Sequence, residues 1–328
     1  MAEVCNSNNA INRPMNSEDY LLISQLGAMN PIFASFVNVI IHASETMTKG
    51  SDKNDFDHSE AVYQRLSEIL PNAQRFGLSA AEIFILIAGA YLHDIGYPHT
   101  TKNKRHGAVA ADMVINNDSL KSIFPAVDIQ NQVARVCDYH DREIADLKEL
   151  AEEVKLDVRP CRCFTGGRMA IRPRMLSAIF RLADELECNS DRMLIQSDDD
   201  PRNIISAVRI DLESRYICLD FKYGTTHEKC DKCVEYLRSK VEMLGTFLNS
   251  YGLSFEVVDK LPEKGLMTEE KRVGSPLDTF DYSEEVSEPS ITVQKNYNIG
   301  HLIEMYEKGR MARIDSVMSL LSERSEKK

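Results

Sequence analysis

The stretch "SAAEIFILIAGAYLHD", Ser79 to Asp94, constrains the fold more than any other part of the chain. Ser79 with Glu82 three residues on is a capping box, so a helix starts there. Beyond Glu82 the stretch is apolar on every side, and a helix without a polar face has to sit at the centre, wrapped by others. It closes on His93 and Asp94. An isolated ionised carboxylate in an apolar interior is prohibitively costly unless it is paired, hydrogen-bonded or bound to a metal. Read alone, the doublet fits a satisfied core pair as well as a site. Gly96 and Pro98, in "YLHDIGYPH", are read as turning the chain away from it so that a substrate can approach.

The neighbouring segments keep the helical period and repeat the anomaly. In "DFDHSEAVYQRLSEIL" Asp57 caps a helix with Glu60, Val62, Leu66, Ile69 and Leu70 form the apolar stripe, and His58 lies one turn before Val62 on that face. "RHGAVAADMVI" puts His106 with Ala110 and Met113, and "DIQNQVARVCDYHD" puts His140 with Ile129, Val133, Val136 and Cys137. In "RPRMLSAIFRLADELEC" Asp184 shares the stripe of Leu176 and Phe180. After this the period changes to 2, with Val208, Ile210 and Leu212, then Ile217, Leu219, Phe221 and Tyr223. A helix striped by Val234, Leu237, Val241, Leu244 and Leu248, capped at Gly252, and the strand "SFEVV" complete a β-β-α-β appendage.

The expected architecture is mainly α: a mobile tail over 1–29, a helical core over 30–200, the appendage over 201–261, a linker or mobile loop over 262–298 and an amphipathic helix over 299–328. That last helix is expected to pack back on the domain or to make a dimer contact; for the protein as a whole the expected partners are a small phosphorylated substrate and a second copy or a partner protein. A formal charge of -12 argues against broad binding to a nucleic-acid backbone, which needs clustered cations to release counterions. No membrane span or signal peptide is read, and eight irregularly spaced cysteines fit reduced thiols or metal ligands, so a cytoplasmic location is expected.

A single histidine on an apolar face is usually a core residue satisfied by a carbonyl. Here four histidines and two aspartates, on five helices, turn inward. Imidazole and carboxylate together suit Mn, Fe, Co, Ni or Zn, and a carboxylate can bridge two ions. One or two divalent ions are expected.

Taken in order, "DHSEAV", "LHDIG" and "FRLADELE" resemble the HD-domain metal-dependent phosphohydrolases, whose motif is a His, a His-Asp pair and a distant Asp. The resemblance implies a helical bundle in which His58, His93, Asp94 and Asp184 bind a first metal. It also implies that His106 and His140 bind a second, with Asp94 bridging, and that Asp94 and His93 serve catalysis. The implied activity is hydrolysis of a phosphoester or phosphoanhydride in a nucleotide or nucleotide-derived messenger. Tyr97 stands where cyclic-dinucleotide phosphodiesterases of the HD-GYP type keep a Lys, and Tyr139-His140-Asp141 where they often carry a His-His pair. The competing readings are a non-catalytic HD module that binds nucleotide or a protein partner, and a di-iron oxygenase.

Lys104, Arg105, Arg168, Arg172, Arg174 and Arg192 are the candidate phosphate-binding cations, each also readable as a solvated surface charge. His227, Cys230 and Cys233 have the H-x-x-C-x-x-C spacing of a zinc knuckle, with Cys161 and Cys163 as a source of the fourth ligand; thiols that simply pack are the plainer reading.

Overall fold

A computed structural model describes residues 21–48, 55–99, 105–157, 168–188 and 200–259, all of them in one compact unit. The fold is mainly α with small sheets. Its helices are α1 (Leu21–Met29), α2 (Pro31–Thr48), α3 (Asp55–Ile69), α4 (Ala80–Leu92), α5 (His106–Asn116), α6 (Asp118–Lys121), α7 (Val127–Tyr139), α8 (Pro173–Leu186) and α9 (His227–Leu248). The strands are β1 (Val154–Asp157), β2 (Arg168–Ile171), β3 (Ile205–Asp211), β4 (Tyr216–Phe221) and β5 (Glu256–Val258).

Helix α4 is the axis of the core. Every residue from Ala81 to Leu92 is buried, with α1, α2, α3, α7 and α8 packed around it. Its capping box is formed: Glu82 N–H donates to Ser79 Oγ at 3.3 Å and Ser79 N–H to Glu82 Oε2 at 2.9 Å. Arg172 closes the charge of the buried Glu82, its Nε donating to Oε1 at 2.9 Å. A buried carboxylate at a helix N-terminus is stabilised both by the dipole and by this partner.

Three local expectations are corrected. The tail reading fails over its last third, where Leu21–Met29 is helix α1 with Leu22 and Leu26 fully buried. Asp57 does not cap α3, which begins two residues earlier at Asp55. The helical core also contains an antiparallel pair of strands, β1 and β2, too short to leave a period in the sequence. The linker over 262–298 and the helix over 299–328 lie outside the described residues.

The appendage has the β-β-α-β order read from the period change: β3 and β4 are antiparallel, α9 crosses over, and β5 pairs parallel to β4. Gly252, with φ 72°, ends the turn after α9 in the left-handed region that favours glycine. Helix α9 packs directly against α8, and Arg65 of α3 donates to the carbonyl of Val208 at 3.1 Å. The appendage is thereby fixed to the two helices that carry His58 and Asp184. Among the described residues, no helix is long and apolar enough to cross a membrane.

Candidate metal centre

Five elements meet at a common centre: four deliver one ligand-type group each and α4 delivers two at its end. His58 comes from α3, His93 and Asp94 from the turn that ends α4, His106 from the first residue of α5, His140 from the end of α7 and Asp184 from the last turn of α8. Two glycines permit the approach. A Cβ on Gly96 would lie 2.4 Å from the Ala110 nitrogen, and one on Gly107 would lie 2.5 Å from the Cys137 carbonyl and 3.0 Å from the His140 ring. Gly96 is therefore not the outward turn expected from the sequence. It is buried and lets the chain after the doublet lie against α5.

Each histidine is pinned through Nδ1. His93 Nδ1 donates to the Ala90 carbonyl at 2.9 Å, and His140 Nδ1 to the Cys137 carbonyl. His58 Nδ1 lies 2.9 Å from Glu187 Oε2, and His106 Nδ1 lies 3.1 Å from Asp141 Oδ2. Carbonyls and carboxylates only accept, so the protons sit on Nδ1 and the Nε2 lone pairs turn inward when the rings are neutral. Such outer partners fix the tautomer of metal-binding histidines. Glu187 and Asp141 were not singled out from the sequence.

The inward atoms fall into two sets that share Asp94. In the first, His58 Nε2 lies 3.2 Å from His93 Nε2, 3.4 Å from Asp184 Oδ1 and 3.6 Å from Asp94 Oδ2. His93 Nε2 lies 3.5 Å from the same Asp94 oxygen and 3.9 Å from Asp184 Oδ1. These five separations, 3.2–3.9 Å, are of the size a tetrahedron needs for its centre to lie about 2.1 Å from each corner, the length of a zinc–nitrogen or zinc–oxygen bond. In the second set, Asp94 Oδ1 lies 3.3 Å from His106 Nε2 and 3.5 Å from His140 Nε2, and those two nitrogens are 2.9 Å apart. Three protein ligands with an open side are what catalytic metal sites keep. Two triads among these residues, His58–His93–Asp184 and His93–Asp94–His140, could hold a metal ion. The donor set fits it.

The electrostatics agree. Burial disfavours a charged His58, but hydrogen bonds with Asp184 and Glu187 and the charge of Asp94 outweigh it and raise its pKa from 6.5 to about 9. A cradle that holds a proton on a buried imidazole attracts a cation. His93 is the opposite case: its side chain is fully buried, and that burial pushes its pKa down to about 3. It suits a neutral ligand rather than a proton carrier. Burial likewise opposes ionisation of Asp184, yet the His58 hydrogen bond and the neighbouring imidazoles hold its carboxyl below the usual range. With a side chain 21% exposed, against 3% for Asp94, Asp184 marks the side on which the site opens.

Of the expected phosphate-binding cations, the three whose side chains lie among the described residues are not brought here. Arg105 pairs with Asp138 at 3.0 Å, Arg172 with Glu82 at 2.9 Å and Arg174 with Glu152 at 2.9 Å, and none of the three lines the cavity. Each has been claimed by a carboxylate on its own side of the bundle. Lys104, Arg192 and the side chain of Arg168 lie outside the described residues. The cations that do line the cavity are Arg181, Arg202 and Lys240. The zinc-knuckle spacing does not close either: His227, Cys230 and Cys233 run along the first turns of α9, with Cys233 in the core and His227 exposed. Residues i, i+3 and i+6 on a straight helix spread along one face instead of surrounding a point. Cys161 and Cys163 lie outside the described residues.

Compared with known proteins, residues 45–195, a little under half of the chain, match the model of the family described as HD-CE, which supports an HD-type domain. The matched span carries all six inward-facing residues. No curated protein matches the chain.

Proposed function

We propose that the chain is a metal-dependent phosphohydrolase or phosphodiesterase acting on a nucleotide or nucleotide-derived messenger, with two divalent ions sharing Asp94. The observation that carries this reading is the division of the two Asp94 oxygens, one toward His58 and His93, the other toward His106 and His140. A carboxylate recruited only to satisfy one core histidine has no reason to face four imidazole nitrogens in two pairs. His58, His93 and Asp184 would hold one ion, His106 and His140 the other, and Asp94 both.

When bound, such ions supply Lewis acidity and lower the pKa of a water from about 15.7 toward 7. The residues supply the rest. Asp94 stands between the two sets and is placed to accept a hydrogen bond from an attacking water and to aim its lone pair. Asp141 and Glu187 keep the His106 and His58 rings from rotating, and the carbonyls of Ala90 and Cys137 do the same for His93 and His140. The apolar shell, with Phe180 edge-on to His93 at 5.3 Å, keeps bulk water away from the closed side of the site.

The test is metal content by mass spectrometry together with a screen of nucleotide phosphoesters and anhydrides in Mn²⁺ against a chelated control. Turnover is expected only with metal. Asp94→Asn is expected to lower both metal content and turnover, the latter by at least ~100-fold. Metal-replete protein that turns over nothing in the panel would remove the hydrolase reading in favour of a binding module.

A further inference from the structure

The cavity over Asp94 and Asp184, about 240 Å³, has a wall that the helical core does not make alone. Arg181 comes from α8, Arg202 from the turn just before β3 and Lys240 from α9, with Tyr236 one helical turn before Lys240. The three cations converge on one carboxylate. Glu185 lies 3.1 Å from Arg181 Nε, 3.6 Å from Arg202 Nη1 and 3.8 Å from Lys240 Nζ. Asp200 holds Arg202 in a fork, at 3.1 Å from Nε and 2.9 Å from Nη2, and the Arg142 carbonyl accepts from Arg181 Nη1 at 3.0 Å.

Stability alone does not account for this arrangement. The side chains of Arg181, Arg202 and Lys240 are only 13%, 17% and 27% exposed, so each has given up much of its hydration, and Glu185 and Asp200 together bring two negative charges against three mutually repelling cations. Of the five carboxylates lining the cavity, Glu185 sits with the three cations, while Asp94, Asp141, Asp184 and Glu187 face the histidines. Once cations occupy the Asp94 end, the arginine and lysine end is left with an excess of positive charge in a chain whose overall charge is -12. An anion from solution would balance it.

We propose that Arg181, Arg202 and Lys240 form a subsite for a second phosphate of the ligand, so that the protein selects anions with two or more linked phosphates over a single phosphate. The inference rests on the metal-centre reading above for where the first phosphate goes. Glu185 follows Asp184 directly and Arg181 precedes Asp184 by three residues on α8, so the cation cluster borders Asp184 and both line the same cavity. A ligand with linked phosphates can present one to each end. Glu185 keeps the three cations gathered while the subsite is free, and Arg202, forked on Asp200, is oriented in advance. Two of the three cations come from the appendage side, which gives the β-β-α-β segment a part in selecting the ligand.

The test is calorimetric titration of the full-length protein, loaded with Mn²⁺ and freed of excess ion, with imidodiphosphate and with inorganic phosphate. Wild-type protein is expected to bind imidodiphosphate at least about tenfold more tightly than phosphate, the value of one charge-assisted contact. Lys240→Gln and Arg181→Gln are each expected to cut that ratio by about fivefold or more, with Lys240→Arg retaining it. Thermal melting of each variant confirms that it is folded, and Lys240, the most exposed of the three, is the safer substitution. A wild-type ratio near one, or a ratio that survives both glutamine variants, overturns the subsite. Protein that keeps the ratio but hydrolyses nothing loses the hydrolase reading and keeps the subsite. Protein that hydrolyses nucleotides with the ratio untouched by the substitutions does the reverse.

Discussion

Glu187 and Asp141 decide how the outer histidines present themselves, although neither lies in the ring of inward atoms. Glu187 holds His58 at 2.9 Å, and Asp141 holds His106 at 3.1 Å while also accepting from the Gly107 N–H at 3.2 Å. Loss of such outer partners costs about 10–100-fold in metal affinity. Glu187→Gln and Asp141→Asn are therefore expected to weaken Mn²⁺ binding by that factor, measured by competition with a chelator, and to leave the fold intact. A change under twofold in both would show that the rings are fixed by packing instead. His58, His93, Asp94, His106, His140 and Asp184 were legible in the sequence because each interrupts an apolar stripe. Glu187 and Asp141 were not. Each sits just past the end of a helix, α8 and α7 respectively, where the period no longer assigns a face.

Among the elements, the crossing of α5 and α7 is the joint on which the second histidine pair depends. Gly107 allows it, since its missing Cβ would overlap the Cys137 carbonyl at 2.5 Å. Gly107→Ala gains up to about 1 kcal/mol of helix propensity. Overpacking at such a contact costs about 1–3 kcal/mol, so the net effect is expected to be destabilising by about 1–2 kcal/mol. Denaturant titration measures this, and metal content should fall with it because His106 and His140 are pushed apart. A variant more stable than wild type would show that the crossing is loose. The capping box and burial of α4 were read correctly from "SAAEIFILIAGAYLHD", as was the change from helix to hairpin after the last Asp. Helix α1 was missed: "LLISQLGAM" is short and directly follows a polar, aperiodic stretch, and its burial depends on α2 and α4 being in place. Strands β1 and β2, four residues each, are shorter than a period-2 signal needs.

At the scale of the whole molecule, the centre is a place where the fold has gathered negative charge that bound cations would relieve. Five carboxylates and three fixed cations line one cavity. Metal should therefore stabilise the native state by mass action, about 2.7 kcal/mol at a hundredfold excess over Kd. For a domain of this size that corresponds to a rise in Tm of about 5–10 °C that grows with Mn²⁺ concentration. Scanning calorimetry across a metal titration reads it directly, and a Tm indifferent to Mn²⁺ and to chelators would mean that the ring is held by hydrogen bonds alone. The sequence by itself determined the central helix, the faces of the surrounding helices and the six residues that turn inward, because periodicity and the cost of burying a charge act along a single segment. Only the tertiary structure decided which Asp94 oxygen faces which histidine pair and that Arg181, Arg202 and Lys240, not Arg105, Arg172 or Arg174, line the cavity with them. A long cationic side chain goes to whichever carboxylate its neighbours in space present, and the period of its own helix carries no record of those neighbours.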